Sequence, residues 1–306
     1  MKNHLIKLTF EVKESSILLR DAIKQFGISK KALTSIKYEG GKILVNGEEK
    51  TVRHLLMKGD TITIIFPGEK KSAGLIPEKG EFPILFEDEH LLILTKEAGI
   101  STIPSREHPN GTIANLVAGY IEENGLASTV HIVTRLDKDT SGIICVAKHR
   151  HAHHLLSEMQ KDGDVDRTYE AIVHGHIERD TFIIDAPIGR KSDSIIERMI
   201  SPDGKHAKTS VRVLNRFDLH GEKLTHVRLK LHTGRTHQIR VHMMSIGHPL
   251  IGDDLYGGSL TLINRQALHA KELKLVHPFT KKEIQVEAPF PTDMLNIFCQ
   301  EPTNNA

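Results

Sequence analysis

Between residues 168 and 234, four strand-like runs follow one another with no long helix between them: TYEAIVHG, TFIIDAPI, TSVRVLNRF and LTHVRLKLHTG. In the last, Val227, Leu229 and Leu231 alternate with Arg228, Lys230 and His232, the period of a strand with one buried face. Strands joined this way pair antiparallel, because parallel neighbours need a long crossover. The sheet is therefore expected to be mixed or antiparallel, and the class α+β rather than doubly wound.

Helical runs flank this β-rich stretch. TIANLVAGYIEENG places Ile113, Leu116, Val117, Tyr120 and Ile121 on one face, HAHHLLSEMQKDG follows, and THQIRVHMMSIG comes after the last strand, with Thr236 as its expected N-cap. PILFEDEHLLILTKEAG reads as two strands around a charged turn, and a hairpin is expected to close the chain. The N-terminal part differs. SSILLRDAIKQF is expected to be a helix capped by Ser15 or Ser16 and ended by Gly27. Ser29 caps a second helix whose exposed face carries Lys30, Lys31 and Lys37. A strand then runs into an Asn46-Gly47 hairpin turn. This gives a helix–helix–hairpin domain at 1–68, a Gly-, Pro- and charge-rich linker at 69–81, and a larger domain at 82–306 with a mixed, mainly antiparallel sheet flanked by helices.

Charge follows the same division. Residues 1–70 hold 13 Lys+Arg against 8 Asp+Glu, a net +5, while the whole chain carries only +2. A basic small unit on a near-neutral larger one suits anchoring to a polyanion. No apolar run approaches the ~20 residues that span a bilayer, and MKNHLIKLTFEVKE has no apolar signal core. Cys145 and Cys299 stand apart, with neither metal nor disulfide spacing, so a reducing cytoplasm is the default location. Monomer is the default oligomeric state.

Two dense polar segments carry the chemistry. Thr134-Arg135-Leu136-Asp137-Lys138-Asp139-Thr140-Ser141-Gly142 is a loop held between two β-rich runs. A calcium loop is excluded: Lys148 stands where a bidentate Glu is required, and strands, not helices, flank the loop. A tight turn or a catalytic carboxylate remains. Arg235, His237, Arg240 and His242 cluster where a strand turns into a helix. His237 and His242 are five apart with no Glu between them, so zinc is not expected. An inward Arg there needs a carboxylate partner. The four histidines at 149, 151, 153 and 154 read as a solvated or RNA-facing edge, Gly252-Asp253 as turn chemistry.

Taken together, TRLDKDTSG, RTYEAIVHG and HTGRTHQIRVHMMSIGHPLIGDDLYGG resemble, in order and spacing, the three signature regions of RluA-type pseudouridine synthases; the likeness covers about residues 82–291. ISKKALTSIKYEGGKILVNGEEKTVRHLLMKGDTITIIF is similar to the S-four-like RNA-binding domain that many members carry at the N-terminus. The resemblance implies an isomerase that converts uridine to pseudouridine without cofactor or metal. It puts the catalytic aspartate at Asp137, the active-site tyrosine at Tyr169 and the arginine that pairs with the aspartate at Arg240. Arg135 is implied to fill the gap that a flipped base leaves, and Lys30, Lys31, Lys37, Arg235 and His237 to contact RNA. Large-subunit ribosomal RNA is the expected substrate, with transfer RNA the other candidate. Three residues depart from the family pattern: Thr134 for a frequent His, Arg167 for a frequent Lys and Glu97 for a common Pro. A non-catalytic RNA-binding protein and a nucleosidase are the competing readings.

Overall fold

The computed structural model describes residues 5–106 and 108–299. Residues 1–4 of the first expected domain, and Glu107 and 300–306 of the second, lie outside the described residues.

The N-terminal unit runs β1 (Lys7–Glu11), β2 (Ile17–Leu18), α1 (Leu19–Gln25), α2 (Lys30–Tyr38), β3 (Lys42–Val45), β4 (Glu48–Glu49), β5 (Leu55–Leu56) and β6 (Thr61–Ile65). An antiparallel sheet in the order β1-β6-β3-β4 packs its inner face on both helices through Leu19, Ile23, Ile36, Ile43, Ile62 and Ile64. Asn46 and Gly47 both have positive φ, 51° and 86°, as a two-residue turn matched to strand twist requires. Ser29 caps α2, its Oγ accepting from Ala32 N at 3.2 Å. The first helix starts later than its apolar pattern suggests. Ile17 and Leu18 pair with Leu56 and Leu55 as strand, so neither Ser15 nor Ser16 is a cap; Ser15 Oγ instead accepts from Lys58 N.

The larger unit contains β7 (Ile84–Glu87), β8 (Leu91–Lys96), α3 (Ile113–Glu123), β9 (His131–Ile132), β10 (Ser141–Ala147), α4 (Arg150–Asp162), β11 (Val165–His174), β12 (Thr181–Asp185), β13 (Ile188–Arg190), β14 (Arg198–Ile200), β15 (Lys208–Leu219), β16 (Glu222–Leu231), α5 (Gln238–Ser245), β17 (Leu268–Val276), β18 (Glu283–Glu287) and α6 (Thr292–Cys299). Its ten-stranded sheet has the order β12-β15-β16-β11-β17-β10-β8-β7, with β18 on β17 and β9 on β10. Every pairing in it is antiparallel except β10 with β17, parallel at Ser141–His269 and Gly142–Ala270. The class is α+β with a mixed, mainly antiparallel sheet.

Side-chain alternation divides the core between the two faces. Leu92 and Leu94 of β8, with Ile144 and Val146 of β10, pack with α3 and α5 through Ile113, Val117, Ile239 and Met243. The alternate residues Leu91, Ile93, Ile143 and Cys145 pack with Ala152 and Leu156 of α4. The last helix, α6, follows the expected closing hairpin and packs Met294 and Ile297 against Ile172 and Phe217.

Residues 67–81 do not hang free. Asn115 Nδ2 donates to Ile76 O, the Glu78 carboxylate accepts from Gly111 N, and Lys71 pairs with Glu122. Gly119 lets the Glu78 backbone lie against α3; a Cβ there would sit 2.0 Å from Glu78 O. The N-terminal unit then docks on α4. Phe66 stacks on His151, and Glu69 accepts from Arg150 N and faces His131 Nε2 at 2.6 Å. His149 and His151 are buried, each 2% exposed, which corrects their reading as a solvated edge. His149 also caps α4, its Nδ1 accepting from Ala152 N.

Candidate active site

The loop from 133 to 140 is anchored at several points. Thr134 is buried, and its Oγ1 accepts from Cys145 N at 2.8 Å, so the unusual threonine serves the sheet edge. Thr102 Oγ1 donates to Leu136 O at 2.7 Å and accepts from Leu136 N at 3.1 Å. Lys96 is fully buried, and its Nζ donates to Glu97 O, Ile100 O and Lys138 O at 2.7–2.8 Å. Burial pulls Lys96 down to about 7, against the opposing charges of Asp139 and Asp137. From the other side, Arg265 Nη1 donates to Asp139 O, while its Nε and Nη2 hold Asp293. Gly142 has φ +114°, and a Cβ there would lie 2.3 Å from Ala270 O. Only glycine lets β10 leave the loop this close to β17.

This anchoring presents Asp137 at a cavity of about 780 Å3. Its side chain is 28% exposed, while that of Arg240 is only 8% exposed. Arg240 Nη1 reaches Asp137 Oδ2 at 3.4 Å, so the expected couple is present, but it is not the stronger bond. Arg240 Nε and Nη2 each donate at 2.7 Å to Asp253, whose side chain is fully buried. Asp253 is therefore the bidentate anchor of the arginine, not merely a turn residue. Asp137 Oδ2 faces Arg240 and lies 3.8 Å from His237 Nε2, while Oδ1 makes no hydrogen bond among the described residues.

Tyr169 lies on the strand face it shares with Ala171 and Val173, beside a register shift at Thr168/Tyr169. Burial raises its phenol above the ordinary value; Arg167 opposes this and Asp137 adds to it. Helix α5 is capped not by Thr236 but by His237, in the left-handed region at φ 56° with no side-chain cap bond. That conformation costs a non-glycine residue roughly 1–2 kcal/mol. His237 Nδ1 lies 2.8 Å from Tyr256 Oη, and the Tyr256 ring sits under the Arg240 guanidinium at 4.9 Å. Burial lowers the His237 pKa, although Asp137 works the other way.

Arg135, Arg167 and Arg235 line the same cavity. Neither Arg135 nor Arg167 has a carboxylate within 4.0 Å among the described residues. Lys30, Lys31 and Lys37 are exposed on α2 and do not line the cavity. The structure thus brings together Asp137, Tyr169, Arg240, Arg135, Arg235 and His237. Sequence reasoning missed Asp253, Tyr256 and Lys96. The one available signal was the rule that an inward arginine needs a buried carboxylate. Among the described residues, no group of three or more His, Cys, Asp or Glu is placed to hold a metal ion, and no helix is long and apolar enough to cross a membrane.

A profile described as RNA pseudouridylate synthase matches residues 90–245. An uncharacterized RNA pseudouridine synthase of Bacillus subtilis, YjbO, is 50% identical over 273 residues, covering 89% of this chain and 95% of that protein. Ribosomal large subunit pseudouridine synthase D of Pseudomonas aeruginosa is 39% identical over 270 residues, covering 83% and 82%. Among solved structures, human RNA pseudouridylate synthase domain containing 1 superposes with a TM-score of 0.57 at 27% identity, covering 70% of this chain and 86% of that one.

Proposed function

The chain belongs to the RNA pseudouridylate synthase family and is an isomerase acting on RNA, and from that premise we propose that Asp137 is its catalytic carboxylate and large-subunit ribosomal RNA its substrate. One observation carries the first part: a half-buried carboxylate with one oxygen held beside Arg240 and the other open to the cavity. Pseudouridine forms when the C1′–N1 bond breaks, the uracil turns, and C5 joins C1′. The free oxygen of Asp137 attacks C1′ or removes a sugar proton; both roles need an ionised, accessible oxygen. Tyr169 stacks on the uracil. The target leaves its helix at a cost of a few kcal/mol, and stacking returns about 1–3 kcal/mol. Arg135 fills the vacated gap. The second part of the proposal rests on the named activity of the Pseudomonas relative.

Residues 1–68 are the RNA-anchoring, S-four-like domain, 69–81 the linker and 82–306 the catalytic domain. Lys30, Lys31 and Lys37 contact phosphates, as do Arg235 and His237 at the cavity. The test supplies unmodified large-subunit ribosomal RNA and transfer RNA transcripts carrying tritium at uracil C5. The wild-type chain is expected to release tritium from the ribosomal transcript, and Asp137→Asn, folded with an unchanged melting midpoint, none. Release from transfer RNA alone would move the substrate, and release by Asp137→Asn would remove the carboxylate from the mechanism.

A further inference from the structure

We infer that His237 has a second task within the pseudouridine-forming reaction proposed above: its Nε2–H donates to uracil O2 as the base leaves the sugar, and Tyr256 is the positioning residue that fixes that tautomer. The inference rests on that reading of the site and adds a catalytic residue to it.

When C1′–N1 breaks, the electron pair passes to the uracil ring and spreads onto O2 and O4. A hydrogen-bond donor fixed where that charge develops lowers the barrier. The obvious cation is already committed, since Arg240 places Nε and Nη2 on Asp253 and Nη1 toward Asp137. Tyr169, as the stacking residue, offers the base its ring face. Of the other basic side chains lining the cavity, only His237 lies within 4 Å of Asp137 among the described residues, and its hydrogen bonds determine which nitrogen carries the proton. Arg198 N–H donates to Tyr256 Oη at 2.9 Å, which uses that oxygen as an acceptor. The Tyr256 hydroxyl proton then points to His237 Nδ1, 2.8 Å away. With Nδ1 accepting, the ring proton sits on Nε2.

His237 Nε2 lies 3.8 Å from Asp137 Oδ2, beyond hydrogen-bond reach. The donor is therefore near the reacting centre without being consumed by the carboxylate. Burial and Arg240 both favour the neutral ring, with Asp137 opposing them. The left-handed backbone at His237 sets the ring at the mouth of α5, where an ordinary N-cap would have turned its side chain to the helix N–H groups. In the step itself, C1′–N1 breaks with its pair going to uracil, and the Nε2–H bond holds the charge at O2 without giving up its proton. Between bond breaking and rejoining, Asp137 holds C1′ as an ester or holds the abstracted sugar proton. After rotation, C5 joins C1′ as Asp137 leaves C1′ or returns that proton, the C5 proton leaves to solvent, N1 takes up a proton, and His237 is unchanged.

The test measures single-turnover tritium release and RNA dissociation constants with the full chain and the ribosomal transcript. His237→Ala is expected to slow release on the order of 10²-fold, well beyond the loss of RNA affinity from its phosphate contact. His237→Gln, which keeps an N–H donor, is expected to recover most of that loss. Tyr256→Phe is expected to slow release while 15N NMR shows the His237 ring losing its single Nε2–H tautomer. A folded His237→Ala with wild-type rate, or one that loses affinity instead of rate, overturns the inference and leaves the synthase reading standing. A wild-type chain that releases no tritium from any transcript overturns both.

Discussion

Arg240 has two of its three nitrogens on Asp253 and one on Asp137, and that division sets what each carboxylate does. Asp253 neutralises a buried cation; Asp137 is positioned by the same cation without being sealed by it. Removing the anchor strands the guanidinium. Asp253→Ala is expected to cost about 3–5 kcal/mol of folding stability, read as the denaturant midpoint, and to abolish tritium release. Asp253→Asn keeps one acceptor oxygen and should lose less stability, while letting Arg240 swing toward Asp137. An Asp253→Ala chain as stable as wild type would show that the pair does not hold the arginine. The approach of Arg240 to Asp137 was legible in the sequence because their segments resemble two family signatures. Asp253 was not, because Gly252-Asp253 has the composition of a turn, and burial of its carboxylate arises only when α5 folds over it.

At the scale of the element, the loop that presents Asp137 owes its shape to side chains outside it. Lys96 closes three carbonyls at the base of the loop. Lys96→Met leaves those buried acceptors unmatched, at about 1–3 kcal/mol for each that water cannot reach. It is expected to lower the melting midpoint and to suppress activity even though Lys96 does not line the cavity. Unchanged turnover in Lys96→Met would mean that the loop holds itself. β16 was readable from the alternation of Val227, Leu229 and Leu231 with Arg228, Lys230 and His232, whereas β8 is apolar on both faces and divides its side chains between two cores. Lys96 was missed because it ends an apolar strand, where a charged residue normally meets water. Helix α6 escaped notice because its apolar stretch is only eight residues long. His149 and His151 were misread because their burial rests on contacts distant in sequence: His149 against His90 and Phe279, and His151 against Phe279 and against Phe66 of the N-terminal unit.

At the scale of the whole molecule, that burial makes stability depend on pH. Burial drives His149 down to about 2 and His151 to about 4, with neighbouring histidines adding to both. In the unfolded chain both titrate near ~6.5. Above that pH neither state binds these protons, and the two histidines add no slope. Below it the unfolded chain takes protons that the folded chain refuses, so stability falls by about 1.4 kcal/mol per pH unit for each group. Unfolding followed from pH 8 to 5 is expected to show these two groups together removing about 4 kcal/mol of stability. His151→Phe should remove part of that slope, and an unchanged slope would place its cause elsewhere. On the proposed phosphate contacts of the exposed α2 lysines and Arg235, RNA affinity is expected to fall steeply with salt; a salt-independent dissociation constant would contradict this.

The connector pinned along α3 has a consequence for how this chain meets a large RNA. A slack tether makes the second contact a fresh search each time the first is made. Here the span between the lysine-bearing helix and the pocket is settled at folding, before any RNA arrives. On the proposed RNA contacts, the molecule would act as a calliper with its jaws locked, and a transcript whose grip point and uridine do not match that gauge is expected to be a poor substrate.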